Sequence, residues 1–207
     1  MATTIVIAGN IGAGKSTLTT MLATHLGWTA ALEPATENPY LSDFYVDMKR
    51  WAFHSQMFFL ASRLSQMARS KNENRIQDRC LAEDAEVFAK NLYGSGQLSE
   101  RDWELYNKIY RAAAESYPAA SLIVYLEAPV DHLLGNIKKR GRDFESQVSA
   151  EYLQQLHGHY EAWLKTQKAA PVLRIPVAGM DFVEKPSDAK RLLGLIESTA
   201  KRMAFIK

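Results

Sequence analysis

The sequence has little cysteine, no long apolar run and almost no excess of charge. It contains one cysteine, Cys80, which excludes an intrachain disulfide and favours a reducing compartment. No stretch approaches the ~18 consecutive apolar residues that a membrane-spanning helix needs, and the apolar N-terminal segment is too short for a signal peptide. From these absences we expect a cytoplasmic protein that does not bind membranes.

Positive and negative charges nearly cancel, because 25 Lys and Arg stand against 23 Asp and Glu. The net charge of +2 gives no broad positive field, so we do not expect the protein to bind nucleic acid. An anionic ligand must therefore be bound at a local site. With 207 residues and a hydrophobic fraction of 47%, the chain resembles a folded protein, and we predict a single domain over residues 1–207.

Short apolar runs rich in β-branched residues alternate with longer stretches of helical period. This alternation is typical of stacked β-α-β units, so we predict a three-layer α/β fold with a central five-stranded parallel sheet flanked by helices. The strands are expected at 3–8, 29–32, 75–78, 121–126 and 171–175. The helices are expected at 15–26, 49–70, 82–91, 100–116, 130–139, 150–168 and 187–203.

The first predicted strand leads into a glycine-rich loop that fits the phosphate-binding pattern G-x-x-x-x-G-K-[S/T]. Glycine is needed there because the loop turns its N–H groups inward, at backbone angles that a side chain would obstruct. We expect Lys15 to reach the β- and γ-phosphates and to act in catalysis, and the Ser16 hydroxyl to ligate Mg²⁺. The residues predicted to bind ATP are Gly9, Asn10, Ile11, Gly12, Ala13, Gly14, Lys15, Ser16 and Thr17.

This loop does not identify the phosphate acceptor, because kinases, switch GTPases and motor ATPases share it. A switch GTPase needs a base-reading segment similar to N-K-x-D, which the sequence lacks. A motor ATPase usually has a longer chain. What remains favours a kinase that acts on a small molecule.

Three further segments are candidates for the rest of a kinase site. Glu33 follows the second predicted strand, at the sheet edge where open α/β sheets bind ligands, and its carboxylate can accept the proton of an attacking hydroxyl. Asp78 and Arg79 end the third strand, where they could meet Mg²⁺ and phosphate. Arg140 and Arg142 flank a glycine after a helix and could form a mobile lid. Taken alone, Glu33 and the Asp78-Arg79 pair are more often solvated charge, and the arginine segment fits either interpretation.

The order and spacing of seven segments resemble the deoxyribonucleoside kinase family over nearly the whole chain. They are GNIGAGKST at 9–17, EP at 33–34, NPYLSDFY at 38–45, RWAFHSQ at 50–56 followed by Arg63, DRCLAED at 78–84, FAKNLY at 88–93, and RGRDFE at 140–145 followed by EYL at 151–153. The resemblance implies a P-loop kinase fold, ATP as the donor, Mg²⁺ as the cofactor and an arginine-rich lid at about 136–148. It also implies a homodimer, for which the apolar, tyrosine-rich segment at 100–117 offers a face.

The resemblance also implies roles on the acceptor side. Glu33 resembles the general base for the 5′-hydroxyl, with Arg79 beside it on the phosphate side. Tyr45 and Glu145 resemble the pair that holds the sugar 3′-hydroxyl. The residues implied to read or enclose the base are Gln56, Arg63, Asp84, Trp51 and Phe88.

On the donor side, the resemblance implies closure over ATP by Arg140, Arg142 and a loop that includes Asp181 and Phe182. Two positions depart from the family pattern. Cys80 stands where the family usually has serine, so a contact that needs a hydroxyl is expected to be lost. Asn136 stands where the lid usually carries a further arginine, which weakens the expected grip on the donor phosphates.

The implied base-reading residues favour a base with an exocyclic amino group. A carboxylate at Asp84 can accept a hydrogen bond from such a group, whereas thymine would place a carbonyl against it. We therefore expect deoxyadenosine, then deoxyguanosine or deoxycytidine, to be converted to the 5′-monophosphate. Two alternatives stay open, a nucleoside monophosphate kinase and a regulatory module that binds ATP without transferring phosphate.

Overall fold

A five-stranded parallel sheet lies at the centre of the structure, a computed structural model that describes residues 2–69 and 73–206. Its strands are β1 (Thr4–Gly9), β2 (Thr29–Ala31), β3 (Arg75–Asp78), β4 (Leu122–Glu127) and β5 (Val172–Pro176). They lie in the order β2-β3-β1-β4-β5, and each neighbouring pair is parallel. The predicted sheet is confirmed, with no strand end displaced by more than one residue.

Helices flank this sheet to give three layers. In the described ranges they are α1 (Lys15–Leu26), α2 (Leu41–Val46), α3 (Met48–Arg69), α4 (Leu81–Glu83), α5 (Lys90–Gly94), α6 (Glu100–Ser116), α7 (Val130–Arg140), α8 (Ala150–Thr166) and α9 (Pro186–Arg202). A π-helical segment, Asp84–Ala89, joins α4 to α5, and 3₁₀ turns occupy Ala35–Glu37 and Asp143–Glu145. Residue 70, predicted as the end of α3, lies outside the described residues. No helix of the described chain is long and apolar enough to span a bilayer.

The core is centred on β1 and β4, whose residues are apolar on both faces. Ile5, Val6 and Ile7 of β1 are at most 1% exposed, as are Leu122 and Ile123 of β4. Strands of a parallel sheet read as continuous apolar runs because helices cover both faces. The high β-propensity of these runs is why their positions could be predicted from the sequence.

Strand β3 is polar and nevertheless buried. Gln77 and Asp78 are 4% and 0% exposed, and both side chains make contacts at the carboxyl edge of the sheet. The Gln77 amide donates a 2.8 Å hydrogen bond to the Arg79 carbonyl, and Asp78 accepts one from the Ser16 hydroxyl. The polar residues of this strand therefore support the site at its carboxyl end.

Candidate active site

The loop between β1 and α1 wraps around the Lys15 side chain. Lys15 is buried, and its Nζ donates a 2.8 Å hydrogen bond to the Asn10 carbonyl, which also accepts from the Ala13 amide at 3.2 Å. The Asn10 side chain accepts from the Ile11 amide and donates to the Leu153 carbonyl of α8, so it anchors the loop from behind. Burial, and after it the charge of Arg79, lower the pKa of Lys15 to about 8.

Two positions of this loop require glycine for two reasons, since neighbouring atoms lie too close for a side chain and the backbone φ is positive. Gly12 has φ +85°, and a Cβ there would lie 2.6 Å from the Leu133 carbonyl oxygen of α7. Gly14 has φ +88°, and a Cβ there would lie 2.5 Å from the ring of Phe182. Both positions need the left-handed region that glycine alone enters freely. The loop is therefore packed directly against α7 and against the loop that precedes α9.

The Ser16 hydroxyl and Asp78 lie together at the start of α1. Ser16 Oγ donates to Asp78 Oδ2 at 2.5 Å, while Asp78 Oδ1 is buried without a hydrogen-bond partner among the described residues. A hydroxyl and an orphaned carboxylate oxygen are the hard oxygen donors that Mg²⁺ prefers. The described residues hold no group of three or more His, Cys, Asp or Glu suited to a metal. A sparse protein ligand set is expected where substrate phosphates and water supply the other ligands.

Arg79 lies at the centre of the site, between two carboxylates. Its Nε lies 3.0 Å from Glu33 Oε1, an ion pair whose angle does not form an aligned hydrogen bond. On its other edge, Nη1 donates to Glu83 Oε1 at 3.0 Å and to the Tyr160 hydroxyl at 2.8 Å. The guanidinium also stacks 4.2 Å from the centre of the Phe88 ring.

The electrostatics keep Glu33 ionised. Burial alone would raise the pKa of Glu33, but the nearby cations, Arg79 and Arg63 first among them, outweigh it and hold the pKa below its ordinary value. The side chain is 18% exposed, toward the cavity. A carboxylate that is charged, reachable and only loosely aligned with its cation can accept a proton from a bound hydroxyl.

Arg63 and Asp84 form a buried pair behind the cavity. Arg63 Nε donates to Asp84 Oδ2 at 3.0 Å, and Nη1 donates to the Asp78 carbonyl at 2.8 Å. Burial raises the pKa of Asp84, and the charge of Arg63 opposes this. Gln56 lies nearby on α3, buried, and its amide makes no hydrogen bond to any described residue. Its donor and acceptor are therefore available to a ligand.

One cavity brings most of the predicted residues together. Those that line it are Ile11, Gly12, Lys15, Ser16, Glu33, Tyr45, Gln56, Arg79, Asp84, Phe88, Arg140, Arg142 and Glu145. Trp51 is not among the lining residues, and its ring stacks on Tyr40 instead, with 5.8 Å between ring centres. Arg63 lies one layer back and acts on the cavity through its hydrogen bond to Asp84 and through its charge, 3.9 Å from Glu33 Oε1.

The two predicted lid arginines are paired with Glu145. Arg140 Nε donates to Glu145 Oε2 at 2.9 Å, and Arg142 Nη1 lies 3.5 Å from Oε1. Phe144 of the same segment stacks on Tyr45, with 6.4 Å between ring centres. The segment thus already contacts the side of the cavity assigned to the sugar.

A second cavity adjoins the loop on its outer side. Thr17, Asn136, Asp181 and Phe182 line it, together with Gly12 and Gly14. Asn136, where the family pattern has an arginine, donates a 2.8 Å hydrogen bond to the Gly12 carbonyl, so it ties α7 to the loop. The Asp181 carboxylate accepts from the Glu184 amide at 3.0 Å and stabilises the turn before α9.

Sequence reasoning missed Glu83, Tyr160 and Tyr152. Tyr152 lines the main cavity, whereas Glu83 and Tyr160 support Arg79 from behind. Glu83 falls within the DRCLAED segment, four residues after Arg79, but Arg79 precedes α4, so the helical i,i+4 rule does not apply to the pair. No local signal marks Tyr160, because its partners lie 77 and 81 residues away in the chain.

Cys80 replaces the expected hydroxyl in a structural contact. Its Sγ accepts a 3.4 Å hydrogen bond from the Glu83 amide at the start of α4, the position of an N-cap serine. Because oxygen is the better acceptor, we expect Cys80→Ser to raise the free energy of unfolding by about 0.5–1 kcal/mol and Cys80→Ala to lower it by a similar amount. Denaturant unfolding of both variants checks this, and an alanine variant as stable as the wild type would contradict the capping role.

Comparison with known proteins agrees with this geometry. The sequence profile of the deoxynucleoside kinase family matches residues 5–201. The deoxyadenosine/deoxycytidine kinase of Bacillus subtilis is 35% identical, over 94% of this chain and 91% of its own. The deoxyadenosine kinase of Dictyostelium discoideum is 37% identical, over 99% of this chain and 82% of its own. The structure of deoxyadenosine kinase from M. mycoides with bound dCTP superimposes with a TM-score of 0.81 at 29% identity, covering 94% of this chain and 99% of the other. The chain belongs to the deoxynucleoside kinase family.

Proposed function

We propose that the protein transfers the γ-phosphate of ATP to the 5′-hydroxyl of a deoxyribonucleoside, preferably deoxyadenosine, for nucleotide salvage. The observation that carries the proposal is the ionised Glu33 beside Arg79, open to a cavity that also contains Lys15 of the phosphate loop. A monophosphate acceptor would bring two further negative charges to Glu33. An uncharged hydroxyl fits this site better.

In the proposed reaction Glu33 accepts the proton of the 5′-hydroxyl as that oxygen attacks the γ-phosphorus. Arg79, 3.0 Å from Glu33, neutralises charge on the phosphoryl group while Glu33 takes up the proton. Both groups come from the carboxyl ends of neighbouring strands, β2 and β3, which fixes their separation. The reaction yields ADP and a 5′-monophosphate.

Donor phosphates are proposed to bind to the loop, to Lys15 and to the lid arginines. An incoming phosphate stabilises the positive charge of Lys15 and so raises its pKa above about 8. Ser16 and Asp78 would hold the Mg²⁺, which neutralises phosphate charge when bound. To bind the donor phosphates, Arg140 and Arg142 must turn at least part of each guanidinium away from Glu145. We therefore propose that residues 136–148 act as the lid.

The base is proposed to bind between Gln56 and Asp84, against Phe88. Arg63 fixes the direction of the Asp84 carboxylate, which can then accept a hydrogen bond from an exocyclic amino group. The Gln56 amide offers one donor and one acceptor to the same base edge. This chemistry suits adenine, guanine or cytosine, and we place adenine first because relatives 35% and 37% identical are named deoxyadenosine kinases.

We also propose that the protein is a homodimer in the cytoplasm. An apolar surface between α3 and α6, lined by Leu64, Leu105, Ile109 and Ala112, supports the dimer, because Leu105 is 47% exposed in the monomer. A reducing compartment suits the free Cys80 thiol. Sedimentation equilibrium gives the oligomeric state, and a monomer at micromolar concentration would contradict the dimer.

A panel of acceptors tests the proposed function. Purified protein with excess ATP and Mg²⁺ is given the four deoxyribonucleosides, their ribose counterparts and the four deoxynucleoside monophosphates, and ADP is measured. We expect deoxyadenosine to be the best acceptor, and 2′,5′-dideoxyadenosine, which lacks the acceptor hydroxyl, to be inactive. Phosphorylation of monophosphates alone would indicate a monophosphate kinase, and ATP binding without turnover a regulatory module.

A further inference from the structure

We propose that Glu83, acting with Tyr160, is a positioning residue for phosphoryl transfer. The two side chains hold Arg79 in its working orientation and link it to Gly9, the first residue of the phosphate loop. This inference rests on the proposed kinase reaction, in which Arg79 meets the transferred phosphate. Neither Glu83 nor Tyr160 lines the substrate cavity, so neither is placed to touch a substrate.

The backbone of Arg79 is strained. Its φ is +64°, in the left-handed region, and within the described ranges only one other non-glycine residue, Ala204, has a positive φ. Such a conformation costs about 1 kcal/mol or more and persists where the surroundings impose it. Backbone contacts contribute, because the Arg79 amide donates to the Ile7 carbonyl at 3.0 Å and its carbonyl accepts from Gln77 at 2.8 Å. These two hydrogen bonds fix the main chain of Arg79, but the direction of its guanidinium depends on the side chains around it.

Glu83 supplies the aligned partner for that guanidinium. Its side chain is 0% exposed, and Oε1 accepts from Arg79 Nη1 at 3.0 Å, from the Gly9 amide at 3.3 Å and lies 2.5 Å from the Tyr160 hydroxyl. Glu33 approaches the opposite edge of Arg79 without an aligned hydrogen bond. The two carboxylates therefore have different roles. Glu83, which is buried, fixes the Arg79 guanidinium, and Glu33, which is open to the cavity, stays free to accept a proton.

Tyr160 completes the link across the fold. Its hydroxyl accepts a 2.8 Å hydrogen bond from Arg79 and lies 2.6 Å from the Gly9 carbonyl and 2.5 Å from Glu83. The residue is buried on α8, far in sequence from both partners. Gly9 ends strand β1 and Arg79 follows the neighbouring strand β3, so one hydroxyl couples the start of the phosphate loop to the arginine. A displacement of either would move the phosphate relative to Glu33.

Glu83→Gln and Tyr160→Phe test the proposal, with Tyr125→Phe as the matched control. Tyr125 packs against Tyr160 at 5.3 Å between ring centres but does not line the cavity. We expect kcat for deoxyadenosine to fall about tenfold or more in Glu83→Gln and several-fold in Tyr160→Phe, with both KM values within about threefold of the wild type. The double variant should be little slower than Glu83→Gln, because the two act as one unit. Tyr125→Phe should retain the wild-type kcat.

Thermal unfolding and the ATP-bound fraction give the share of each preparation that is folded and binds ATP. Dividing kcat by this share distinguishes a positioning role from a loss of stability. A wild-type kcat per folded, ATP-binding molecule in both variants would overturn the proposal, as would a change confined to nucleoside KM. If Glu83→Gln does not fold, the kcat of Tyr160→Phe alone tests the proposal. A wild-type protein that phosphorylates no nucleoside would overturn the proposed function as well, so the two failures are distinguishable in the same assay.

Discussion

Glu33→Gln is expected to lower kcat for deoxyadenosine phosphorylation by about 10²–10⁴-fold while leaving ATP affinity nearly unchanged. Glutamine keeps the size of the side chain but cannot accept the proton of the 5′-hydroxyl. The substitution also removes the negative partner 3.0 Å from Arg79 Nε, although Glu83 still accepts from that guanidinium. The loss should therefore appear in kcat far more than in the binding of either substrate.

Steady-state kinetics and ATP titration of the variant check this expectation. Glu37→Gln is the matched control, because Glu37 lies four residues further on, is exposed and does not line the cavity. It should keep the wild-type kcat. If Glu33→Gln retained full activity, the proton would have to be accepted elsewhere, and the assignment of Glu33 as the base would be wrong.

Removing the carboxyl group of Glu83 is expected to change how stability depends on pH. Burial raises the pKa of Glu83 from 4.5 to about 7, against the opposing charges of Arg79 and Lys15 and the hydrogen bond from Tyr160, while Asp84 raises it further. The folded protein thus binds more protons than the unfolded chain between pH 4.5 and 7, so this group makes stability fall as the pH rises through that window. Glutamine has no such proton.

The free energy of unfolding of Glu83→Gln, minus that of the wild type, should therefore rise by about 2–3 kcal/mol between pH 5 and pH 8. Urea unfolding at a series of pH values measures it, and the comparison cancels every other titrating group to first order. A pH-independent difference for Glu83→Gln would show that Glu83 is ionised in the folded protein at pH 5.

The fold was predictable because its strongest signals are local. Strand β4 is a continuous apolar run, and α1 begins at the motif that defines the phosphate loop. Helix α2, Leu41–Val46, was not predicted, since six residues carry too little periodicity to detect. A helix was predicted at 82–91, and the chain is helical there, but Asp84–Ala89 forms a π-helix where an α-helix was expected.

The π-helical segment makes tertiary contacts that cannot be read from the local sequence pattern. It begins at Asp84, which pairs with Arg63 on α3, and it contains Phe88, which packs against the Arg79 guanidinium. Such π-helical turns are frequent at functional sites because they redirect side chains toward a ligand. These contacts join the segment to α3 and to the residue after β3, and the periodicity of residues 82–91 alone does not indicate them.

The candidate site could be predicted where its residues lie in contiguous motifs. Asn136 shows the limit of that approach. Its sequence position indicates a lost arginine, whereas the structure shows a hydrogen bond that joins α7 to Gly12. Glu83 and Tyr160 escaped prediction because their role follows from meeting Arg79 in three dimensions.

We propose above that this site esterifies the 5′-hydroxyl of a deoxyribonucleoside. Phosphorus NMR of a reaction containing deoxyadenosine, ATP and Mg²⁺ tests it most directly, because it identifies both the product and the position of its phosphate. We predict one new phosphomonoester, coupled to the 5′ protons, that accumulates in equal amount with ADP. Inorganic phosphate without an ester, or an ester at the 3′ position, would contradict the account.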